Sequence, residues 1–207
     1  MARIREGDME LRTLMVRAVE TSTGVVLGIG PEMLDRPTPC PEYDVRALLG
    51  HLSAWMTERA RAAAVKRPIT GAPDESFVPE PGWADRYAEA ARAAAVAWSE
   101  PAAWEGTGSL SGAMEMPAEM IGGLVFSEFL LHGWDLAAAT GQKYALDDDL
   151  AVALFDQVSS MAGMARQYGA FGPEVPVPAS APLADRALGL AGRDPAWTPG
   201  PAAADGP

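Results

Sequence analysis

Residues 117–141, PAEMIGGLVFSEFLLHGWDLAAATG, constrain this chain more than any other stretch. At about 100° per residue, Ile121, Leu124, Val125 and Leu131 fall on one side of a helix, and Phe126 and Leu130 fall nearly opposite. A helix apolar around most of its circumference belongs inside a bundle. Yet Glu128, His132 and Asp135 lie within about 60° of one another, in the middle of the first face. A lone buried carboxylate costs several kcal/mol unless it is paired or bound to a metal. Three polar groups on one buried stripe therefore need partners.

The rest of the chain supplies helices to surround it. From Leu11, apolar side chains recur at Leu14, Met15, Ala18, Val25, Val26 and Ile29, until Gly28, Gly30 and Pro31 stop the helix. The linker DRPTPCPEY holds three prolines in nine residues and cannot be helical. Asp44 is an N-cap for a second helix with Val45, Leu48, Leu49, Leu52, Trp55 and Met56 on one stripe, predicted to run to about Val65. Residues 66–81 form a long surface connection and a candidate lid. A third helix carries Trp83, Tyr87, Ala90, Ala91, Ala94 and Trp98, ending before Pro101. A Gly-rich stretch, GTGSLSGAMEMP, with room for a short extended piece, leads into the fourth helix, capped by Gly141. A fifth spans Asp147 to about Gln167, with Asp148 and Asp149 at its positive end.

The pattern predicts an all-α bundle over residues 1–170, in which Leu11, Leu14, Leu48, Leu52, Val125 and Leu131 supply core. Residues 171–207 read as a Pro-rich extension with one short helix at LADRALGLAG, its last ten or so residues disordered.

Composition excludes several functions. The 28 Asp and Glu outweigh 16 Lys and Arg, for a net charge of −12 and a pI near 4.5. Nucleic acid and anionic membrane surfaces are repelled by such a chain. No apolar run approaches the ~18 residues of a membrane span, and the first residues lack the apolar core of a signal peptide. The single cysteine, Cys40, allows no disulfide framework and reads as a small filler between two prolines, with a reactive thiol as the alternative. A cytoplasmic protein with a small-molecule partner is expected, and a homodimer is compatible with the pattern.

The Glu-x-x-x-His spacing stacks Glu128 and His132 about 6 Å apart along the axis, so both can converge on one cation. The chain holds only two histidines, and the other, His51, borders the apolar stripe of the second helix. His51, Glu128 and His132 form a donor set for Zn²⁺, Ni²⁺ or Fe²⁺ with a coordination position left open. Taken singly, each feature has a plainer reading: a helix i,i+4 pair for Glu128 and His132, a satisfied core group for either histidine. Asp135 reads as an outer partner of His132 or as a base, and Trp55 and Trp134 as pocket wall.

RPTPCPEYDVRALLGHL, SEFLLHGWDLAAATGQ and the later FGPEVPVPASAPLADRALGLAGRDPAW resemble the DinB-like metal-binding bundles related to the N-terminal domain of mycothiol-dependent maleylpyruvate isomerase. The similarity is closest to a branch known only as metal-binding. It implies an up-down four-helix bundle with a metal triad at His51, Glu128 and His132, holding zinc or nickel. It also implies chemistry in which a thiol such as mycothiol is a cosubstrate for transfer or isomerisation. The extension is too short to replace the isomerase's separate C-terminal domain. Two other functions fit the residues: a metal acting as Lewis acid on a metabolite carbonyl without any thiol, and a non-catalytic ligand-binding bundle.

Overall fold

The computed structural model of the chain describes residues 6–199. Helix α1 (Glu6–Leu27) is followed by α2 (Val45–Trp55), α3 (Glu58–Ala64), α4 (Trp83–Ser99), α5 (Ala118–Thr140), α6 (Asp148–Gln167) and α7 (Leu183–Leu190). The fold is an all-α bundle with an added C-terminal segment. Helix α5 is its centre: α1, α2, α3 and α6 all pack against it, and α4 closes the far side of α1 and α3. The residues expected as core are all buried, from Leu11 and Leu14 through Leu48 and Leu52 to Val125 and Leu131. Among the described residues no helix is long and apolar enough to cross a membrane.

Local chemistry sets the ends of these helices. The Asp44 carboxylate accepts the Ala47 N–H at 2.7 Å, capping α2 as its position suggests. Gly141 ends α5 at φ 73°, a left-handed conformation that glycine adopts without steric cost. The expected extended piece forms a small antiparallel pair of β1 (Thr107–Gly108) and β2 (Met116–Pro117).

One boundary differs from expectation. The second helix does not run unbroken to Val65 but divides into α2 and α3 at Met56 and Thr57. The Thr57 hydroxyl donates to Ser53 O at 2.6 Å, taking the carbonyl that its own N–H would bond in a continuous helix. The break lets α3 turn onto α4, where Trp98 Nε1 donates to Ala60 O at 2.9 Å.

The C-terminal segment folds back onto the bundle. Helix α7 packs on α6, Phe171 is buried, and the Arg166 guanidinium donates to Leu190 O at 2.7 Å. This path carries Arg193 to the centre of the molecule. The tail expected to be disordered lies, from residue 200 on, outside the described residues.

Candidate metal centre

His51 on α2 and Glu128 and His132 on α5 meet at one point. Glu128 Oε2 lies 3.1 Å from His51 Nε2 and 3.2 Å from His132 Nε2. The two imidazoles stand edge to face with centroids 5.3 Å apart. One donor atom from each of the three residues falls within 4.8 Å of the others. The i,i+4 stacking on α5 supplies two donors, and the packing of α2 against α5 supplies the third.

Behind the triad, His132 Nδ1 donates to Asp135 Oδ2 at 2.8 Å. Asp135 is fully buried, and its counter-charge is Arg193, with Nη2 at 2.9 Å from Oδ2 and Nε at 3.3 Å from Oδ1. Sequence reading missed Arg193. The signal was indirect: a buried aspartate demands a cation, but nothing in the sequence says which of the Lys and Arg residues reaches it.

Neighbouring charges shift the buried groups away from their ordinary values. Burial opposes the charge on Glu128, but His132 and His51 outweigh it and hold the carboxyl well below its usual range. Burial likewise opposes a charged His132, and Glu128 and Asp135 overcome it, pushing the ring up to about 9. Asp135 is held below its ordinary value because Arg193 and then His132 outweigh its burial.

The donor set fits a divalent cation. Asp135 and Arg193 neutralise each other, leaving one carboxylate and two imidazoles to face an ion. Cys40, His132 and Asp135 form a second close group, also within 4.8 Å. That group already contains a cation, the Arg193 guanidinium, and burial pushes the Cys40 thiol up to about 11, away from the thiolate that binds metals.

The side chains of Glu128 and His51 keep 27% and 17% of their surface exposed, against 7% for His132. The centre therefore opens past Glu128 and His51 and is closed behind His132. Two further residues stand on the His51 side. The Tyr43 hydroxyl lies 3.3 Å from His51 Nδ1, and Glu75 Oε2 lies 3.6 Å from the same nitrogen. Burial, then Glu75, pushes Tyr43 up to about 12, so its hydroxyl keeps its proton at neutral pH.

The two tryptophans separate. Trp55, one turn beyond His51, donates Nε1 to Glu75 Oε1 at 2.8 Å and stays beside the centre. Trp134 does not share the wall. It lines a cavity of about 60 Å³ with Leu130, Tyr144, Leu154 and Leu188, on the α6 and α7 side. The reason is rotational: two residues beyond His132, Trp134 points about 160° away around α5.

The description "mycothiol maleylpyruvate isomerase N-terminal domain" belongs to the family model that matches residues 16–137, more than half of the chain. That span contains His51, Glu75, Glu128, His132 and Asp135, and Arg193 lies beyond it. Uncharacterised proteins of two Mycobacterium tuberculosis strains, CDC 1551 / Oshkosh and H37Rv, are each 30% identical over 179 residues. The match spans 86% of this chain and 94% of each relative. No solved structure gives a significant match. The chain thus belongs to the mycothiol maleylpyruvate isomerase N-terminal domain family.

Proposed function

We propose that His51, Glu128 and His132 hold one divalent cation, zinc or nickel, and that the centre works on a small molecule by thiol-dependent transfer or isomerisation. A thiol of the mycothiol type is the cosubstrate. The supporting observation is the convergence of two imidazole nitrogens on one oxygen of Glu128, at 3.1 and 3.2 Å, with both Nδ1 atoms turned toward carboxylates. When bound, such a cation lowers the pKa of a thiol or polarises a carbonyl oxygen.

The chain's own residues do the rest. Asp135 holds one proton of His132 on Nδ1, so a cation that binds the ring would displace the other proton and take Nε2. Arg193 pairs with both Asp135 oxygens and lowers its basicity, which favours the role of orienting the His132 ring over that of general base. Tyr43, still protonated, can donate to an oxygen that gains charge beside His51. This last contact favours a carbonyl-bearing substrate and keeps a thiol-free Lewis-acid reaction as the second reading.

Titration of the cobalt-substituted protein with mycothiol or a mycothiol conjugate tests the proposal. A new thiolate-to-cobalt charge-transfer band is expected. A spectrum that no thiol perturbs, but that a small carbonyl compound does, would replace the thiol reading with the Lewis-acid one.

A further inference from the structure

The 66–82 connection is not a free loop over the centre. It is tied to α3, to the start of α4 and to α2 in turn. Arg59 Nη2 donates to Gly71 O at 2.7 Å, and the Phe77 and Trp83 rings meet edge to face at 5.0 Å. Between these ties, the backbone of Glu75 lies on Gly50. A Cβ at Gly50 would stand 2.0 Å from Glu75 O, so only glycine permits this approach. The approach delivers the Glu75 side chain to the residue next to Gly50, which is His51.

Glu75 divides its carboxylate between two partners. Oε1 accepts the Trp55 indole N–H at 2.8 Å, and Oε2 faces His51 Nδ1 at 3.6 Å. His51 thereby resembles His132 at longer range: one ring nitrogen toward Glu128, the other toward a second carboxylate, at 3.6 Å in place of 2.8 Å. Tyr43 Oη shares Nδ1 at 3.3 Å, but a hydroxyl can either donate or accept, so it does not choose a tautomer. An ionised carboxylate only accepts. At 3.6 Å it lies just beyond hydrogen-bond range of Nδ1, and its charge there favours the tautomer with hydrogen on Nδ1 and Nε2 turned to a cation.

We propose that Glu75 is the positioning residue of His51, with Trp55 holding the carboxylate in place, so that the 66–82 connection is part of the metal centre. This rests on the metal reading of His51, Glu128 and His132. The assignment gives Trp55 a role different from pocket wall. It also makes the two imidazoles unequal: His132 is fixed by a buried aspartate on its own helix, His51 by a partly exposed glutamate from a separate segment.

Co²⁺ affinity, measured by competition with a chelator, separates the possibilities in wild type, Glu75→Gln, Trp55→Phe and the double variant. Glu75→Gln should weaken binding about 10- to 100-fold, the usual cost of losing such an outer partner. Trp55→Phe should weaken it in the same direction, and the double variant should bind no worse than Glu75→Gln, since both changes act through one contact. The melting temperature of the metal-free protein should not follow these losses. Equal Co²⁺ affinity in wild type and Glu75→Gln would overturn the proposal while leaving the metal site standing. A loss of affinity matched by a loss of metal-free stability would also overturn it, by reducing Glu75 to a structural tie. A wild type that takes up no Co²⁺ would remove the site reading itself, and this proposal with it.

Discussion

His132 Nδ1 and Asp135 Oδ2 lie 2.8 Å apart, one helical turn along α5, in a place where Asp135 has no exposed surface. The contact fixes both the tautomer and the rotation of the ring that carries the deepest donor of the triad. Asp135→Asn keeps the shape and removes the charge, so Nδ1–H is no longer enforced. Metal affinity should fall about 10- to 100-fold, as read by competition with a chelator, while the helical circular dichroism is kept. Unchanged affinity would mean that the aspartate serves only the fold.

Arg193 and Asp135 form a buried bidentate pair, and truncating one member leaves the other charge without its main partner. Arg193→Met should destabilise the protein by about 3–5 kcal/mol. Asp135→Asn combined with Arg193→Met should cost less than the sum of the single changes. Urea unfolding of the four proteins closes this cycle. The pair also predicts the acid response. Because Asp135 is held below its ordinary value of about 3.9, its contribution is complete above that pH and is lost as pH falls through the lower folded value. The gap between wild type and the double variant should stay constant from about pH 7 to 5 and shrink below about pH 4.

Cys40 stands beside this pair but should be inert. Burial raises its thiol to about 11, so roughly one molecule in a thousand carries the thiolate at pH 8. Modification by a thiol reagent should be far slower than for a free cysteine at pH 8 and should accelerate as pH rises toward 11. Rapid labelling of the folded protein at pH 7 would contradict the burial of this site.

The core is complete without a metal. Met15, Leu48, Leu52, Ile121, Val125, Phe126 and Phe129 are all fully buried around α5. Chelation should therefore lower the melting temperature yet leave the helical circular dichroism intact at about 25 °C. Complete unfolding on chelation would make the site structural and count against a catalytic role.

What was legible in the sequence follows from where periodicity acts. Helical spacing places Glu128, His132 and Asp135 on one stripe, and the apolar stripe of α2 brings His51 to face them. The same spacing fixes that Trp134 diverges from His132 but not which neighbour it meets, and the neighbours proved to be α6 and α7. Glu75 and Arg193 lie in segments without a period, delivered by a glycine contact and by the return of the C-terminal segment. No local pattern encodes either placement. The division at Thr57 was hidden for a different reason: a side-chain hydroxyl competing for a backbone carbonyl leaves the apolar stripe unchanged on both sides.

Metal content of the purified protein, by elemental analysis of wild type and His132→Ala side by side, tests the centre most directly. Wild type should carry about one zinc or nickel ion per chain, and His132→Ala should lose most of it, because two remaining ligands make an incomplete site. The variant should stay helical, since the ring replaced lies at the edge of an otherwise complete core. Equal metal content in the two proteins, or a wild type that neither retains nor takes up a divalent ion, would contradict the assignment of His51, Glu128 and His132.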